Sequence, residues 1–177
     1  TGFHPMHIGK KDNTLYAASE DFTLNSLQVY DNEEISPGTL AIFSDKGVKK
    51  IKIAEAKEEF CFFEIVYMMM HGSKFKGHYV DDIRTTAGRL LADLYPVEAD
   101  LVIPVLDSGL SYGNGYSRRS EIPMELYLCK NRHAGRTYQH PEGKGEEVHE
   151  SVRLTTNELI KIKHVPIFVI FAHFCHF

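Results

Sequence analysis

Three observations predict an α/β fold. Residues 1–53 carry short apolar runs separated by turn residues, residues 81–95 carry one amphipathic period that stops at Pro96, and residues 101–128 read as strand, loop, helix, strand. The last pattern is a βαβ unit, which makes a parallel sheet with a right-handed crossover the expected core.

In chain order, Leu15-Tyr16-Ala17-Ala18 and Leu40-Ala41-Ile42-Phe43 read as strands. Turn chemistry flanks them at Lys11-Asp12-Asn13, Ser36-Pro37-Gly38 and Asp45-Lys46-Gly47. From Glu55 to Glu59 charge replaces β-branched residues, which marks a domain or subdomain boundary. Asp81-Asp82 suit the cap of a helix with Ile83, Ala87, Leu90, Leu91 and Leu94 on its apolar face. Leu101-Val102-Ile103-Pro104-Val105 is a buried-strand pattern, and the turn Asp107-Ser108-Gly109 leads into a helix that Gly113 and Gly115 weaken. Met124 to Leu128 reads as the next strand. Residues 130–157 are polar, and a polar stretch of that length is functional or disordered. Val165 to Ala172 is apolar but contains Pro166, so it is either a core strand or an abnormal end. It is far short of the roughly 20 residues a membrane-spanning helix needs. The opening Thr1-Gly2-Phe3-His4-Pro5 and the uncapped tail Phe168 to Phe177 both read as interrupted sequence.

The composition, 43 % apolar and 25 % charged, is that of a globular protein and excludes a disordered tail, a collagen-like repeat and a disulfide-stapled miniprotein. A net charge of −4 excludes a basic nucleic-acid surface. Three cysteines, at 61, 129 and 175, are odd in number and far apart, which points to a reducing compartment: the cytoplasm, or a plastid after removal of a targeting peptide. Ten histidines invite a zinc reading, but no Cys-x-x-Cys or His-Glu-x-x-His spacing supports it.

Two segments carry candidate chemistry. Asp107-Ser108-Gly109 stands at the carboxyl end of a strand in a predicted parallel sheet, where ligands of such sheets sit. A glycine there admits a phosphate to the backbone, the following helix start offers N–H groups, and Ser108 offers a hydroxyl to a phosphate or Mg²⁺. A plain strand-to-helix turn with Asp or Ser as cap accounts for the same triplet. The second segment, Lys130-Asn131-Arg132-His133-Ala134-Gly135-Arg136-Thr137, places three cations and a glycine where a mobile loop can close over an anion. A solvated basic loop is the competing reading.

Taken with Glu98 to Gly109, Gly115-Tyr116, Ile122-Pro123, Cys61 to Tyr67, Gly77, Val80, Arg84 and Gly88, these segments closely resemble the amidophosphoribosyltransferase family. Gly2-Phe3, Pro5, Gly9, Ala18-Ser19-Glu20 and Pro37-Gly38 resemble the end of that family's glutaminase domain, so the likeness spans residues 1–157. The resemblance implies the end of a β-rich N-terminal-nucleophile glutaminase domain at 1–57. Part of a type I phosphoribosyltransferase parallel sheet follows at 58–177, with an anomalous tail at 158–177. It implies glutamine-derived ammonia joined to phosphoribosyl pyrophosphate, giving phosphoribosylamine in the first step of purine biosynthesis. It makes Asp107, Ser108 and Gly109 the pyrophosphate loop with Ser108 near Mg²⁺, and Lys130, Arg132 and Arg136 part of the closing loop. It also implies a homo-oligomer, with no nucleic-acid or membrane partner. In iron–sulfur members the cysteine at the place of Cys61 is one ligand of a 4Fe–4S cluster, a role that a buried structural cysteine would replace here.

The sequence departs from the family in five places, one of them Thr155-Thr156 in place of a basic segment. An amino-terminal cysteine nucleophile is absent, and Thr1 stands in a stretch similar to that domain's interior. No pair of aspartates follows the apolar run Val165 to Ala172, so the loop that holds the ribose phosphate is missing. Met68-Met69-Met70-His71-Gly72 replaces an aromatic residue followed by Ala-Arg-Pro-Asp, and His133 replaces a tyrosine. The expectation is a chain inactive by itself; the alternatives are a non-catalytic pyrophosphate- or nucleotide-binding module and a structural fragment.

Overall fold

The structure, a computed structural model, describes residues 4–130, 152–154 and 167–170. It divides into two compact units, Thr1–Asp82 and Ile83–Phe177. The divide falls within a helix, whereas the composition break at Glu55 to Glu59 lies in an irregular stretch of the first unit.

The first unit is built from small antiparallel sheets. Strands β1 (His7–Lys11), β2 (Thr14–Ala18) and β3 (Asn32–Glu34) form a sheet in the order β2-β1-β3. The β1–β2 hairpin turns at Asp12, whose φ of 53 is the left-handed conformation that Asp tolerates. Strands β4 (Thr39–Ser44) and β5 (Gly47–Lys52) make a second hairpin, with Leu40 opposite Ile51 and Phe43 opposite Val48. Each expected strand and turn of this segment is present, but the strands are not the whole of it. A short helix, α1 (Asp21–Ser26), lies between β2 and β3 and buries Leu24 at 1 % exposure. Six residues are too few to show a helical period in the sequence.

Helix α1 is held by two carboxylates at its start. Glu20 has no side-chain cap bond to the helix. Its Oε2 instead accepts from the Met70 backbone N–H at 2.8 Å and from the Ser73 hydroxyl, while Asp21 Oδ1 accepts from the Lys74 N–H at 3.0 Å. The segment Met68 to Gly72 is thereby anchored to the start of α1 through the Met70 N–H. A π-helical turn over Glu64–Met68 precedes it, and a two-residue hairpin, β6 (Lys74–Phe75) with β7 (His78–Tyr79), follows.

Helix α2 (Val80–Leu94) begins one residue before Asp81, so both aspartates lie in its first turn rather than at its cap, where they still complement the helix dipole. In the second unit, strand β8 (Leu101–Pro104) leads through a turn into helix α3 (Gly109–Ser120). Val102 then bridges Met124 in parallel, with Val102 N–H donating to Pro123 O at 2.9 Å and Glu125 N–H to Val102 O at 3.1 Å. The βαβ unit is therefore present. Its returning strand, expected over Met124 to Leu128, is reduced to that one bridge, and the chain next forms β9 (Leu128–Lys130), antiparallel to β10 (Val152–Leu154). The apolar run near the carboxyl end takes its strand form: β11 (Ile167–Ile170) pairs in parallel with β8, Ile167 opposite Leu101 and Ile170 opposite Pro104.

The expected apolar face of α2 is corrected. Leu90 and Leu94 are 56 % and 71 % exposed, while Arg84, Thr85 and Ala92 are buried. The stripe is displaced because α2 meets α3 through small groups. A Cβ built on Gly88 would overlap the Tyr112 carbonyl, and one built on Gly115 would overlap the Thr85 carbonyl. Gly113, which weakens α3 in isolation, lies close on β8: its Cβ would come within 2.9 Å of Pro104. Around this crossing Ala92, Val102 and Tyr116 form the core, packed by Leu91, Val97, Tyr112, Ile122 and Met124. Tyr116 is fully buried and donates its hydroxyl to the Tyr95 carbonyl at 2.9 Å.

Helix propensity alone makes Gly→Ala stabilising by about 1 kcal/mol. Gly88→Ala and Gly115→Ala are expected to reverse that sign and cost about 1–3 kcal/mol by overpacking, read as a fall in urea midpoint. Leu90→Ala, on the exposed face, should stay within about 0.5 kcal/mol of the parent. A Gly88→Ala protein as stable as the parent would refute the close crossing.

Candidate functional site

The turn between β8 and α3 is where the sequence places the anion site. Pro104 ends the strand, and Leu106, Asp107 and Ser108 form the turn, with a cis peptide between Leu106 and Asp107. The Gly109 N–H donates to Val105 O at 2.9 Å and the Leu110 N–H to Asp107 O at 3.3 Å. These two amides are thus committed to the turn's own carbonyls, the second by a long bond. What the turn presents outward is polar side chain. Asp107 is exposed, and Ser108, the N-cap of α3, is half-buried with no side-chain bond to the helix. Ser108 stands at the N-cap, as a plain strand-to-helix turn would place it, but its hydroxyl makes no cap bond to a helix N–H.

The donor set suits a hard cation. Asp107 brings a carboxylate and Ser108 a hydroxyl, the oxygen ligands that Mg²⁺ takes alongside substrate phosphates. An exposed carboxylate repels a bare pyrophosphate, so anion binding at this turn needs a cation between the two. Among the described residues, no group of three or more His, Cys, Asp or Glu side chains could hold a metal ion by itself.

Lys130 closes strand β9, paired with Val152 across the β10 ladder. Arg132 and Arg136, the other two cations of the predicted closing loop, lie outside the described residues. Cys129, its neighbour in sequence, is exposed. Cys61 is half-buried in the first unit and accepts the Glu64 N–H through its carbonyl at 3.1 Å. It lines a cavity of about 270 Å³ along with His7, Glu64, Met69 and Phe75. The residues do not fit a 4Fe–4S cluster, which takes four thiolates against the three cysteines of this sequence. Cys175 lies outside the described residues.

One pair beside the turn carries no signal in the sequence beyond the family motif. Arg84 of α2 is 1 % exposed, and its guanidinium donates a hydrogen bond to the phenol oxygen of Tyr112 in the first turn of α3. Burial pushes the Tyr112 phenol above its ordinary 10.0, outweighing the pull of the Arg84 charge and hydrogen bond in the other direction. Arg84 falls four residues after the fully buried Val80. Both positions lie on the inward side of α2.

Two outcomes follow from this geometry. Ser108→Ala should change stability by no more than about 0.5 kcal/mol, because no side-chain cap bond is lost; a loss nearer 1–2 kcal/mol, about what a true cap is worth, would contradict the geometry. Tyr112 titrates above its unfolded value, so its contribution to stability is whole below about pH 10 and is lost as pH rises through the raised folded value. Urea midpoints of the parent should therefore fall more steeply than those of Tyr112→Phe as pH rises above about 10. Parallel curves would exclude the burial effect.

No family model matches the chain. Among curated proteins it is 31 % identical over 170 residues to the amidophosphoribosyltransferase of Methanocaldococcus jannaschii, covering 87 % of this chain and 36 % of that protein. With the amidophosphoribosyltransferase of Archaeoglobus fulgidus it shares 35 % identity over 157 residues, covering 88 % of this chain and 34 % of that protein. Among solved structures, the glutamine phosphoribosylpyrophosphate amidotransferase of B. subtilis, complexed with ADP and GMP, superposes with a TM-score of 0.79 at 28 % identity. That match covers 97 % of this chain and 38 % of the other. In sequence and in backbone, the chain corresponds to a segment of the amidophosphoribosyltransferase family, matching the curated members along about nine-tenths of its own length and about one-third of theirs.

Proposed function

We propose that this chain carries the pyrophosphate half of a phosphoribosyl pyrophosphate site of the amidophosphoribosyltransferase type. The observation that carries the reading is the turn Asp107-Ser108-Gly109 at the carboxyl end of parallel strand β8, opening directly into glycine-rich α3. In the family reaction, ammonia released from glutamine displaces pyrophosphate from the ribose carbon and yields phosphoribosylamine. Pyrophosphate leaves as a polyanion from a centre with oxocarbenium character, so fixed donors at its oxygens lower the barrier. Ser108 offers its hydroxyl to the departing group, Asp107 holds the accompanying cation, and Lys130, Arg132 and Arg136 close over the anion and exclude water. Mg²⁺, when bound there, neutralises the leaving group.

The same reading assigns residues 1–57 to the end of the glutaminase domain and 58–177 to part of the phosphoribosyltransferase domain. Glutamine hydrolysis is not assigned to any residue of this chain, since none stands in the place of the family's cysteine nucleophile. A relative from Vigna aconitifolia is named as chloroplastic, which supports a plastid as a setting alongside the cytoplasm read from the cysteines. Among the described residues no helix is long and apolar enough to cross a membrane.

One observation favours a second reading, binding without turnover. β11 runs parallel to β8, yet the residues after it, Phe171 to Phe177, contain no acidic side chain for the ribose. Calorimetric titration of the chain with phosphoribosyl pyrophosphate, with and without Mg²⁺, decides whether the half-site exists. Binding is expected only with Mg²⁺, weakened about tenfold or more in Lys130→Ala/Arg136→Ala by loss of two charge-assisted contacts. Asp107→Asn should narrow the gap between the two conditions. No heat at millimolar ligand from a folded chain would overturn the proposal.

A further inference from the structure

The start of α3 lacks the device that normally fixes a helix N-terminus. Ser108 stands at the N-cap in a helical conformation, and its side chain makes no cap bond. Two amides close the turn on its own carbonyls, Gly109 N–H to Val105 O and Leu110 N–H to Asp107 O. A helix turn takes about 3.6 residues, so Tyr112, three residues after Gly109, belongs to this first turn. There it accepts a hydrogen bond from Arg84, a guanidinium almost wholly withdrawn from water on a different helix.

Arg84 lies where the two helices approach most closely. It precedes Thr85, whose carbonyl leaves no room for a Cβ at Gly115, and stands one turn before Gly88, which is pressed against the Tyr112 carbonyl. The backbones of α2 and α3 are thus locked where the hydrogen bond forms. A buried guanidinium with directional donors makes a fixed reference point, and a bond from it to the first turn of α3 restrains where that turn begins.

We propose that Arg84 and Tyr112 are a positioning pair for the Asp107-Ser108-Gly109 turn, setting the geometry in which it receives the pyrophosphate group. The inference rests on the pyrophosphate reading of that turn. Neither residue touches the ligand; Arg84 acts on Tyr112, and Tyr112 on the turn through the helix backbone. A positioning role differs from a structural one in a measurable way. A structural bond changes stability alone, whereas this pair also changes affinity for an anion that it does not contact.

The test uses the 177-residue chain with inorganic pyrophosphate and Mg²⁺ as the probe, measured by calorimetry beside thermal unfolding. Tyr112→Phe removes one oxygen and is expected to weaken binding about fivefold or more, from the usual worth of a hydrogen bond to a charged group. It should also displace the Ser108 and Gly109 amide resonances of the free protein. Arg84→Lys keeps the charge without the planar fork and should fall between the parent and Arg84→Met. Tyr116→Phe is the control, since that hydroxyl also lies on α3 but donates to the Tyr95 carbonyl. It should lower the unfolding temperature and leave pyrophosphate affinity unchanged. Parent-like affinity in folded Tyr112→Phe, or an equal loss in Tyr116→Phe, would overturn the positioning role and leave the pyrophosphate reading standing. No binding by the parent chain would remove both.

Discussion

The close approach of α2 and α3 is the constraint on which the second unit depends. Two backbones meet at Gly88 and Gly115, each against a carbonyl of the other helix, and no larger residue fits at either place. Side-chain packing at a helix crossing normally sets an axial separation of about 8–10 Å; glycine at the contact lets the axes come closer. This proximity explains why the apolar period of α2 does not match its buried stripe. The helix turns its smallest groups and Arg84 inward, and Leu90 and Leu94 are left outside. It also explains why a helix with three buried glycines, Gly109, Gly113 and Gly115, forms at all. At Gly113 and Gly115 the intrinsic cost is offset by contacts that only glycine permits.

The first unit solves a different problem by a different means. Its sheets are small, and the helix between them is too short to be stable alone. Carboxylates do the joining: Glu20 and Asp21 take three hydrogen bonds from the segment at residues 70–74, and a charged acceptor roughly doubles the worth of such bonds. The Ala18-Ser19-Glu20 motif is therefore connected to the stretch Met68 to Ser73. The segment keeps its place through backbone and serine donors, which a change of side chains at 68–72 does not remove.

Chemistry at the candidate turn follows from sign as much as from shape. A carboxylate exposed at the end of β8 is a poor neighbour for pyrophosphate, and becomes a good one only with a divalent cation between them. On the proposed reading Asp107 would confer metal dependence and Ser108 would supply a hydroxyl that makes no cap bond to the helix, with α3 fixing where both stand. The glycine crossing and the turn are one construction, because the helix that the turn opens is the helix that α2 holds.

Much of this was legible in the sequence, because local chemistry sets it. The hairpins at Asp12 and Gly47, the strand Leu101–Pro104, the stop of α2 before Pro96 and the turn at Asp107-Ser108-Gly109 all follow from turn residues, β-branched runs and proline, whose effects reach only a few residues. The family likeness was legible as well, since it rests on residues quoted in order. Tertiary structure alone decided the rest. Six-residue α1 has too little sequence to announce itself, and the expected strand at Met124 survives as a single bridge because β9 pairs elsewhere. The inward face of α2 was misread because hydrophobic periodicity assumes that large apolar groups make the contact. Where two helix backbones meet at glycine, close approach outweighs side-chain hydrophobicity, and which carbonyl a glycine faces is a fact of three dimensions.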